Sequence, residues 1–229
     1  GILLIYGGLS HSEHRNTLKS LSDENPYIHS YGTNQSILSG NNVPQSLETT
    51  YSDELFVGMR NVLGKDEVFE GRLAYGEINN FAHFIGISNG GYNRFQVNYL
   101  ESVWQLHANA TYDKKINNII SLNAAADYFS WDKEVYHKPN FTSNLSAPIN
   151  LRNKIKVSPS LSYIGERNAN NDDQFLSAQF HANLALYYSY SKQLSAYLQL
   201  NNLTGTQNEI WNDYKEVGFN GVFGVNYSF

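Results

Sequence analysis

The stretch that decides the fold is Phe219-Asn220-Gly221-Val222-Phe223-Gly224-Val225-Asn226-Tyr227-Ser228-Phe229. Side chains alternate between the two faces of a β-strand, so this stretch has an apolar face and a polar face. The apolar face carries Phe219, Phe223, Val225, Tyr227 and Phe229, and the polar face carries Asn220, Asn226 and Ser228. This pattern is typical of the last strand of a bacterial outer-membrane β-barrel, which is apolar towards lipid and polar towards the lumen. The sequence therefore predicts an all-β fold: an antiparallel transmembrane β-barrel, or the carboxyl-terminal ten to twelve strands, roughly, of a larger barrel.

Composition supports this prediction. Of the 229 residues, 16% are charged and 14% are aromatic, with 17 tyrosines that suit aromatic girdles at two membrane boundaries. Mean hydropathy is −0.45, and no apolar run reaches the roughly 18 residues that a transmembrane helix needs. A soluble β-sandwich or soluble barrel also alternates, but the lack of charge on many of the apolar stripes disfavours both.

Charge and cysteine content exclude several classes. The chain has no cysteine, so disulfides play no part, and its net charge of −5 provides no basic surface for a nucleic-acid partner. It begins at Gly1 without a methionine or a signal peptide. An exported protein needs such a signal, so we expect a processed form or a fragment.

Turn signals divide the chain into two parts. Residues 1–54 read as a first strand (2–9) followed by a long external loop (10–54), with a possible short helix over 12–19. Residues 55–229 read as barrel strands joined alternately by short periplasmic turns and long external loops. The predicted strands are 55–63, 68–76, 81–87, 95–100, 103–112, 120–131, 141–149, 155–165, 180–190, 194–202 and 219–229. The predicted long loops after the first are 132–139, 166–174 and 204–217.

Two prolines conflict with regular strands. Pro148 and Pro159 lie inside predicted strands, where proline removes a hydrogen bond from the ladder. We expect a bulge or a strand end at each of them.

The end of the chain resembles that of TonB-dependent receptors. The stretch Tyr197-Leu-Gln-Leu-Asn-Asn-Leu-Thr204 contains the element Asn202-Leu203-Thr204, and a loop with Trp211 and Tyr214 and a phenylalanine-terminated strand follow. The resemblance is best over residues 178–229, and the richness in Asn, Tyr and Ser is similar to receptors of the Bacteroidota. That family has a 22-stranded barrel with an amino-terminal plug, so this chain would supply about half of such a barrel. We favour the carboxyl-terminal part of a receptor over a small complete barrel.

The resemblance implies a function and partners. It implies import of a scarce ligand across the outer membrane of a Gram-negative bacterium, in contact with outer-membrane lipid. It also implies a TonB-type energising complex that acts through a plug not present here, and a surface lipoprotein or other barrel subunits as further partners. The alternatives are a structural or assembly subunit of an envelope complex, a small passive porin and a barrel-embedded enzyme. The sequence preceding Gly1 would discriminate among these.

Candidate site residues fall into two sets. Aromatic residues of the long loops are expected to contact the ligand: Tyr27, Tyr31, Tyr136, Trp211 and Tyr214. Polar strand residues are expected to face the lumen, where they line a substrate path or hydrate and cross-link the wall: His107, Asn109, Asp127, His181, Asn183 and Asn201. We expect no cofactor and no metal site, because the His11/His14 pair and Asp172-Asp173 lack full ligand spacing. No hydrolase or phosphate-loop motif occurs, so the chain is not expected to be an enzyme.

Overall fold

The fold is a single curved antiparallel wall with loops packed at one end. The computed structural model describes residues 1–30, 47–89, 92–170 and 174–228. The strands are β1 (Ile2–Arg15), β2 (Ile28–Ser30), β3 (Thr49–Gly64), β4 (Glu67–Asn89), β5 (Tyr92–Lys115), β6 (Ser121–Trp131), β7 (Phe141–Ser146), β8 (Ile149–Leu151), β9 (Ile155–Ile164), β10 (Arg167–Asn170), β11 (Gln174–Leu176), β12 (Gln179–Ser189), β13 (Leu194–Asn201), β14 (Glu209–Trp211), β15 (Tyr214–Lys215) and β16 (Asn220–Tyr227). The wall is a 12-stranded sheet in the order β1-β3-β4-β5-β6-β7-β9-β12-β13-β16, with β2 on β5 and β8 on β9. The predicted fold class is confirmed, and the ten described strands along the main path of the sheet lie within the predicted range of ten to twelve.

The strands are held in rows that cross the whole wall. Asp53 lies opposite Glu77, and Glu77 lies opposite Trp104 on the next strand. Because side chains alternate along each strand, the constant register collects every apolar stripe on one face, which we call the apolar face. The opposite side, the polar face, carries most of the amide, hydroxyl and charged side chains.

The apolar face has no charged side chain between two polar borders in the described strands. At the border nearer the long loops, His11 donates to Asp53 over 2.6 Å, in the row that contains Glu77 and Trp104. At the border nearer the short turns, Lys114 pairs with Glu67 at 3.2 Å. Aromatic rings lie close inside both borders: Tyr75, Trp104, Tyr128, Phe141, Tyr163 and Phe180 at one, and Phe69, Tyr112, Tyr188 and Tyr227 at the other.

The first strand is longer than predicted. The prediction that it ends at residue 9 was wrong, because β1 continues to Arg15 and β3 already begins at Thr49. These polar extensions pair residue by residue from Leu9↔Leu55 to Arg15↔Thr49, so backbone hydrogen bonds hold them together without an apolar stripe, assisted by the His11–Asp53 side-chain bond. The predicted loop 10–54 is correspondingly shorter, and the division into 1–54 and 55–229 stays a prediction.

Four predicted strands are really two. The predicted strands 68–76 and 81–87 form the single strand β4, and 95–100 and 103–112 form β5. Asn80 interrupts the pattern, since it adopts a φ of 54° while the pairing register continues unchanged on both sides. Asparagine tolerates this left-handed conformation, so the sequence pattern breaks but the hydrogen-bond ladder does not.

The prolines lie where one neighbouring strand breaks. Pro148 falls between β7 and β8, which confirms the expected strand end. Pro159 lies inside β9, opposite Ala147 in the same gap, and its carbonyl accepts a hydrogen bond from Ala147 N over 3.1 Å. The expected bulge at Pro159 is absent, because the strand that would need its missing N–H is interrupted there instead.

Short elements fill the long connections. The predicted loops 166–174 and 204–217 contain the small hairpins β10–β11 and β14–β15, which alternation did not indicate. The helix α1 (Leu18–Glu24) begins at a capping box between Thr17 and Ser20, and its Leu21 is buried. No helix in the described ranges is long and apolar enough to cross a membrane.

Crowding between β3 and β4 generates a first prediction. A Cβ at Gly76 would touch the Asp53 carbonyl oxygen and lie 2.6 Å from Glu54 Cα. Alanine there must push two backbones apart, so we expect Gly76→Ala to lower the free energy of unfolding by about 1–3 kcal/mol in a urea titration. Gly71→Ala on the same strand is the control, because its Cβ would meet nothing nearer than 3.5 Å. Equal stability of the two variants would contradict the pairing.

Candidate functional site

Four segments converge at the long-loop end of the wall. They are α1 with Tyr27, the loop 132–140, the β10–β11 hairpin, and the terminal loop, which we define as residues 202–219. The terminal loop follows β13, six strand steps along the sheet from β4. Six steps correspond to about 29 Å along a wall, so contact between the terminal loop and β4 requires a sheet that curves around its polar face.

Aromatic rings form the centre of this convergence. Phe84 of β4 and Phe95 of β5 are fully buried, and Trp211 of the terminal loop lies edge-on to both, with ring centroids 5.2 Å apart in each pair. Tyr27 stacks on Tyr214 with centroids 3.6 Å apart. We call the set consisting of Leu21, Phe84, Phe95, Val97 and Trp211, with Tyr27 and Tyr214 against it, the mouth cluster. It joins two long connections, the one after β1 and the terminal loop, to β4 and β5 in one packed unit.

The loop 132–140 contributes an imidazole to the mouth cluster. His137 lies 4.7 Å from the Trp211 ring centroid and 5.1 Å from that of Phe95, and its Nδ1 donates to the Phe84 carbonyl over 3.2 Å. Burial lowers the pKa of His137 to about 4, and the hydrogen bond to Phe84 opposes this shift only in part. The imidazole is therefore neutral at pH 7.

Tyr136, the neighbour of His137, is also buried. Its ring stacks on that of His83 with centroids 5.4 Å apart, and its hydroxyl donates to Glu134 over 2.9 Å. Burial first, and the hydrogen bond to the Glu134 carboxylate second, raise the pKa of Tyr136 to about 12. Tyr136 is 6% exposed, so most of its ring is covered by protein.

Polar side chains tie the terminal loop to the wall. Arg167 donates to the carbonyls of Glu209 and Ile210 over 2.9 and 3.1 Å, and Gln179 donates to that of Glu209 over 2.7 Å. His181 pairs with Glu216 at 2.7 Å, with both side chains about 15% exposed. Buried carbonyls and carboxylates are thereby satisfied, which allows the terminal loop to fold inward.

The Asn202-Leu203-Thr204 element starts the terminal loop. Asn202 adopts a φ of 50° and is 4% exposed. Its amide Nδ2 donates to the Thr206 carbonyl over 2.6 Å, and its Oδ1 accepts from the Thr204 hydroxyl over 2.7 Å. Its backbone N–H donates to Asn183 Oδ1 over 2.9 Å. Asparagine suits the end of β13 because it tolerates a positive φ and because its short amide can both donate and accept hydrogen bonds.

Most of the predicted ligand residues come together. Tyr27, Tyr136, Trp211 and Tyr214 lie in or beside the mouth cluster, and Tyr31 lies outside the described residues. Trp211 is 9% exposed, so its ring is mostly packed inside the mouth cluster. Tyr27 and Tyr214 are partly exposed. A role of these residues in ligand contact stays a prediction.

The predicted lumen residues all lie on the polar face. Asp127 accepts from His107 Nε2 over 2.9 Å and from Asn109 Nδ2 over 2.8 Å. Asn201 donates to Asn220 over 3.0 Å, and Asn183 and His181 hold the terminal loop as described above. The side chains cross-link the wall, and their contact with a water-filled lumen stays a prediction.

Sequence reasoning missed the buried partners of the predicted residues. These are Phe84, Phe95, His83, His137, Arg167, Gln179 and Glu216. No local pattern marks them, because their contacts join segments 30 or more residues apart. In the described ranges, no three His, Asp or Glu side chains are grouped as metal ligands would be.

Comparison with known proteins places the fold. No protein-family model and no curated protein matches the chain. Among solved structures, it is similar to the copper transporter OprC, with a TM-score of 0.69 and 13% identity over 99% of this chain and 37% of that one. It is also similar to a mutant of the ferric enterobactin receptor PfeA from Pseudomonas aeruginosa, with a TM-score of 0.66 and 14% identity over 99% of this chain and 38% of that one. It is similar as well to the ferric-catecholate import receptor Fiu from E. coli K12, with a TM-score of 0.64 and 14% identity over 99% of this chain and 33% of that one.

The class of fold follows from this likeness. The wall has the fold of an outer-membrane β-barrel, and the chain spans about a third of the length of the solved structures it matches. More particularly, the fold is that of the barrel of TonB-dependent receptors. The resemblance inferred from residues 178–229 is thereby confirmed at the level of the fold, over nearly the whole chain.

Trp211 generates a second prediction. Trp211→Ala removes the ring that contacts Phe84, Phe95 and His137, and large-to-small changes of this kind cost about 3–5 kcal/mol. We expect faster amide hydrogen exchange in residues 18–28 and 132–140, with the wall strands unchanged. Trp104→Ala is the control, because Trp104 lies on the apolar face, away from the mouth cluster. Unchanged exchange in both loops would contradict a shared unit.

His137 generates a third prediction, on pH. Its pKa is about 4 in the folded protein and near 6.5 when unfolded, so the unfolded chain binds the proton first as pH falls. The stabilisation is complete above pH 6.5 and declines between pH 6.5 and 4, by up to about 3 kcal/mol. Urea unfolding of the mouth, followed by tryptophan fluorescence, should show this decline. His137→Phe, which takes no proton, should show a smaller one, and an equal decline in both would contradict the assignment.

Proposed function

We propose that the chain forms part of the wall of an outer-membrane β-barrel in a Gram-negative bacterium. We further propose that the whole protein is a TonB-dependent receptor-like importer of a scarce ligand, without enzymatic activity. The fold shared with copper and ferric-siderophore transport proteins supports this class of function. The nature of the ligand is open in this proposal, since those neighbours are at most 15% identical.

The observation that carries the proposal is the height of the charge-free band on the apolar face. On β4 it runs from Glu67 to Glu77, ten residues along the strand. At about 3.3 Å per residue this is roughly 33 Å, and a strand tilt near 40° reduces it to a height of about 25 Å. That height suits the hydrocarbon layer of an outer membrane, with the aromatic rows at its two boundaries.

The mouth cluster supports a gated entrance rather than a passive pore. Three long connections meet over the polar face and are held there by rings and by buried hydrogen bonds. A ligand that enters along the polar face must displace or reshape these contacts, and Tyr27 and Tyr214 are the partly exposed rings that it would meet first.

Completion of the barrel is part of the proposal. In the described strands, the outer edges of β1 and β16 pair with no other strand, and unpaired edges are unfavourable in a membrane. We propose that further strands complete the wall, and that a plug acts through a TonB-type energising complex. A surface lipoprotein or other barrel subunits are the proposed partners at the long-loop end. A structural subunit of an envelope complex is the second candidate, since the same loops would dock partners.

A charge-placement pair tests the wall and is our fourth prediction. Leu184 lies on the apolar face of β12, and its neighbour Asn183 lies on the polar face. Arginine on the lipid face near the bilayer centre costs about 2–4 kcal/mol, so Leu184→Arg should reduce folding into lipid vesicles, measured by heat-modifiable migration. Asn183→Arg should cost less. Equal tolerance of both changes would contradict the assignment of the two faces.

A further inference from the structure

The two halves of the polar face differ in charge. On β3 to β6 carboxylates lie beside the cations: Arg72 pairs with Glu54, and Arg60 pairs with Glu70 at 3.0 Å. His107 and Asp127 form a third pair at 2.9 Å. This half therefore combines negative and positive side chains, and Asp113 of β5 adds a further carboxylate.

The polar face of β9, β12, β13 and β16 is different. Serine, asparagine, glutamine and tyrosine dominate it, and these strands contribute no carboxylate to it. His181 is engaged by Glu216 of the terminal loop. In the described part of the chain, Lys156 has no ion-pair partner, so it is the one strand residue here that leaves a positive charge uncompensated.

Lys156 borders a depression of about 420 Å³ on this half of the wall. The register places Lys156, Tyr187 and Tyr197 side by side in one row, and Ser158, Ala185 and Gln199 in the next. The methyl group of Ala185 leaves room between its larger neighbours. The Tyr197 ring lies over Gly224 on β16, where a side chain would collide with it.

Each polar side chain of this depression can donate a hydrogen bond, and Leu186 and Val222 complete the lining. The Lys156 ammonium, the hydroxyls of Tyr187, Tyr197 and Ser158, and the Gln199 amide all carry donors, and no carboxylate lines the space. In a protein with a net charge of −5, a concave and acid-free surface with one ammonium group is a local positive site. A ligand with negatively charged oxygens satisfies these donors better than an uncharged one.

We propose that this depression is a binding site for a small oxyanion, a carboxylate or a phosphate group, with Lys156 as its charged contact. It lies beside the short turns, at the end of the wall opposite the mouth cluster. The inference deepens the proposed function, because such a site would hold an anionic ligand after it has passed the mouth.

The test uses the whole protein that contains this chain, folded into vesicles with 3-fluorotyrosine incorporated. The Tyr187 and Tyr197 signals are assigned from Tyr187→Phe and Tyr197→Phe. Succinate and inorganic phosphate are titrated separately, and succinamide serves as the uncharged match for succinate. We expect saturable shifts of these two signals with at least one anion and none with succinamide. Lys156→Gln should weaken binding by about tenfold or more, the loss of one charge-assisted hydrogen bond.

Lys192→Gln is the matched control, because Lys192 lies in the nearby turn after β12 and does not line the depression. The affinity of the Lys192→Gln variant for the anion should equal that of the unaltered protein. Whichever anion shifts the two tyrosine signals identifies the chemical group that the site binds. Normal insertion with no anion response, or with a response that Lys156→Gln leaves unchanged, would overturn this inference alone. Failure of the whole protein that contains this chain to insert would overturn the proposed function and this inference together.

Discussion

The structure depends on a continuous antiparallel ladder that satisfies the backbone from β1 to β16. Each strand uses its neighbours as hydrogen-bond partners, and the constant register aligns side chains in rows across the wall. Each single strand shows only a weak alternation of apolar and polar residues. Aligned across the wall, the apolar residues form one charge-free band bordered by rows of aromatic rings. A shift of one residue in any strand would place polar side chains in the band, so the hydrophobic pattern and the ladder specify the same register.

The polar face and the loops follow from the same ladder. Strands such as β4 and β5 extend beyond the band, where polar residues remain paired through their backbones and carry Phe84 and Phe95 to the long connections. The terminal loop brings Trp211 against these rings because Asn202 turns the chain at the end of β13 and Arg167 and Gln179 satisfy its carbonyls. The mouth cluster is thus a second core, built from loops and from the extensions of β4 and β5, and it is separate from the apolar face.

Sequence reasoning recovered what alternation encodes and missed what it does not. The strand 120–131 and the turn at Ser191 were predicted almost to the residue, because short turns and apolar stripes are local signals. The extension of β1 to Arg15 and the small hairpins in the loops carry no apolar stripe, so they were missed. Four of the loop aromatics, Trp211 among them, come together in the structure, and their role in ligand contact stays a prediction. Their burial depends on contacts that no local pattern reveals.

The central claim is that the apolar face meets lipid and the polar face does not. Because the chain has no cysteine, single cysteines can be introduced at residues 180–188 and spin-labelled one at a time, with the whole protein that contains this chain folded into vesicles. Accessibility to oxygen, which concentrates in lipid, should alternate with a period of two and peak at positions 180, 182, 184, 186 and 188, which lie on the apolar face. Uniform accessibility along the strand, or peaks at the intervening positions, would contradict the account.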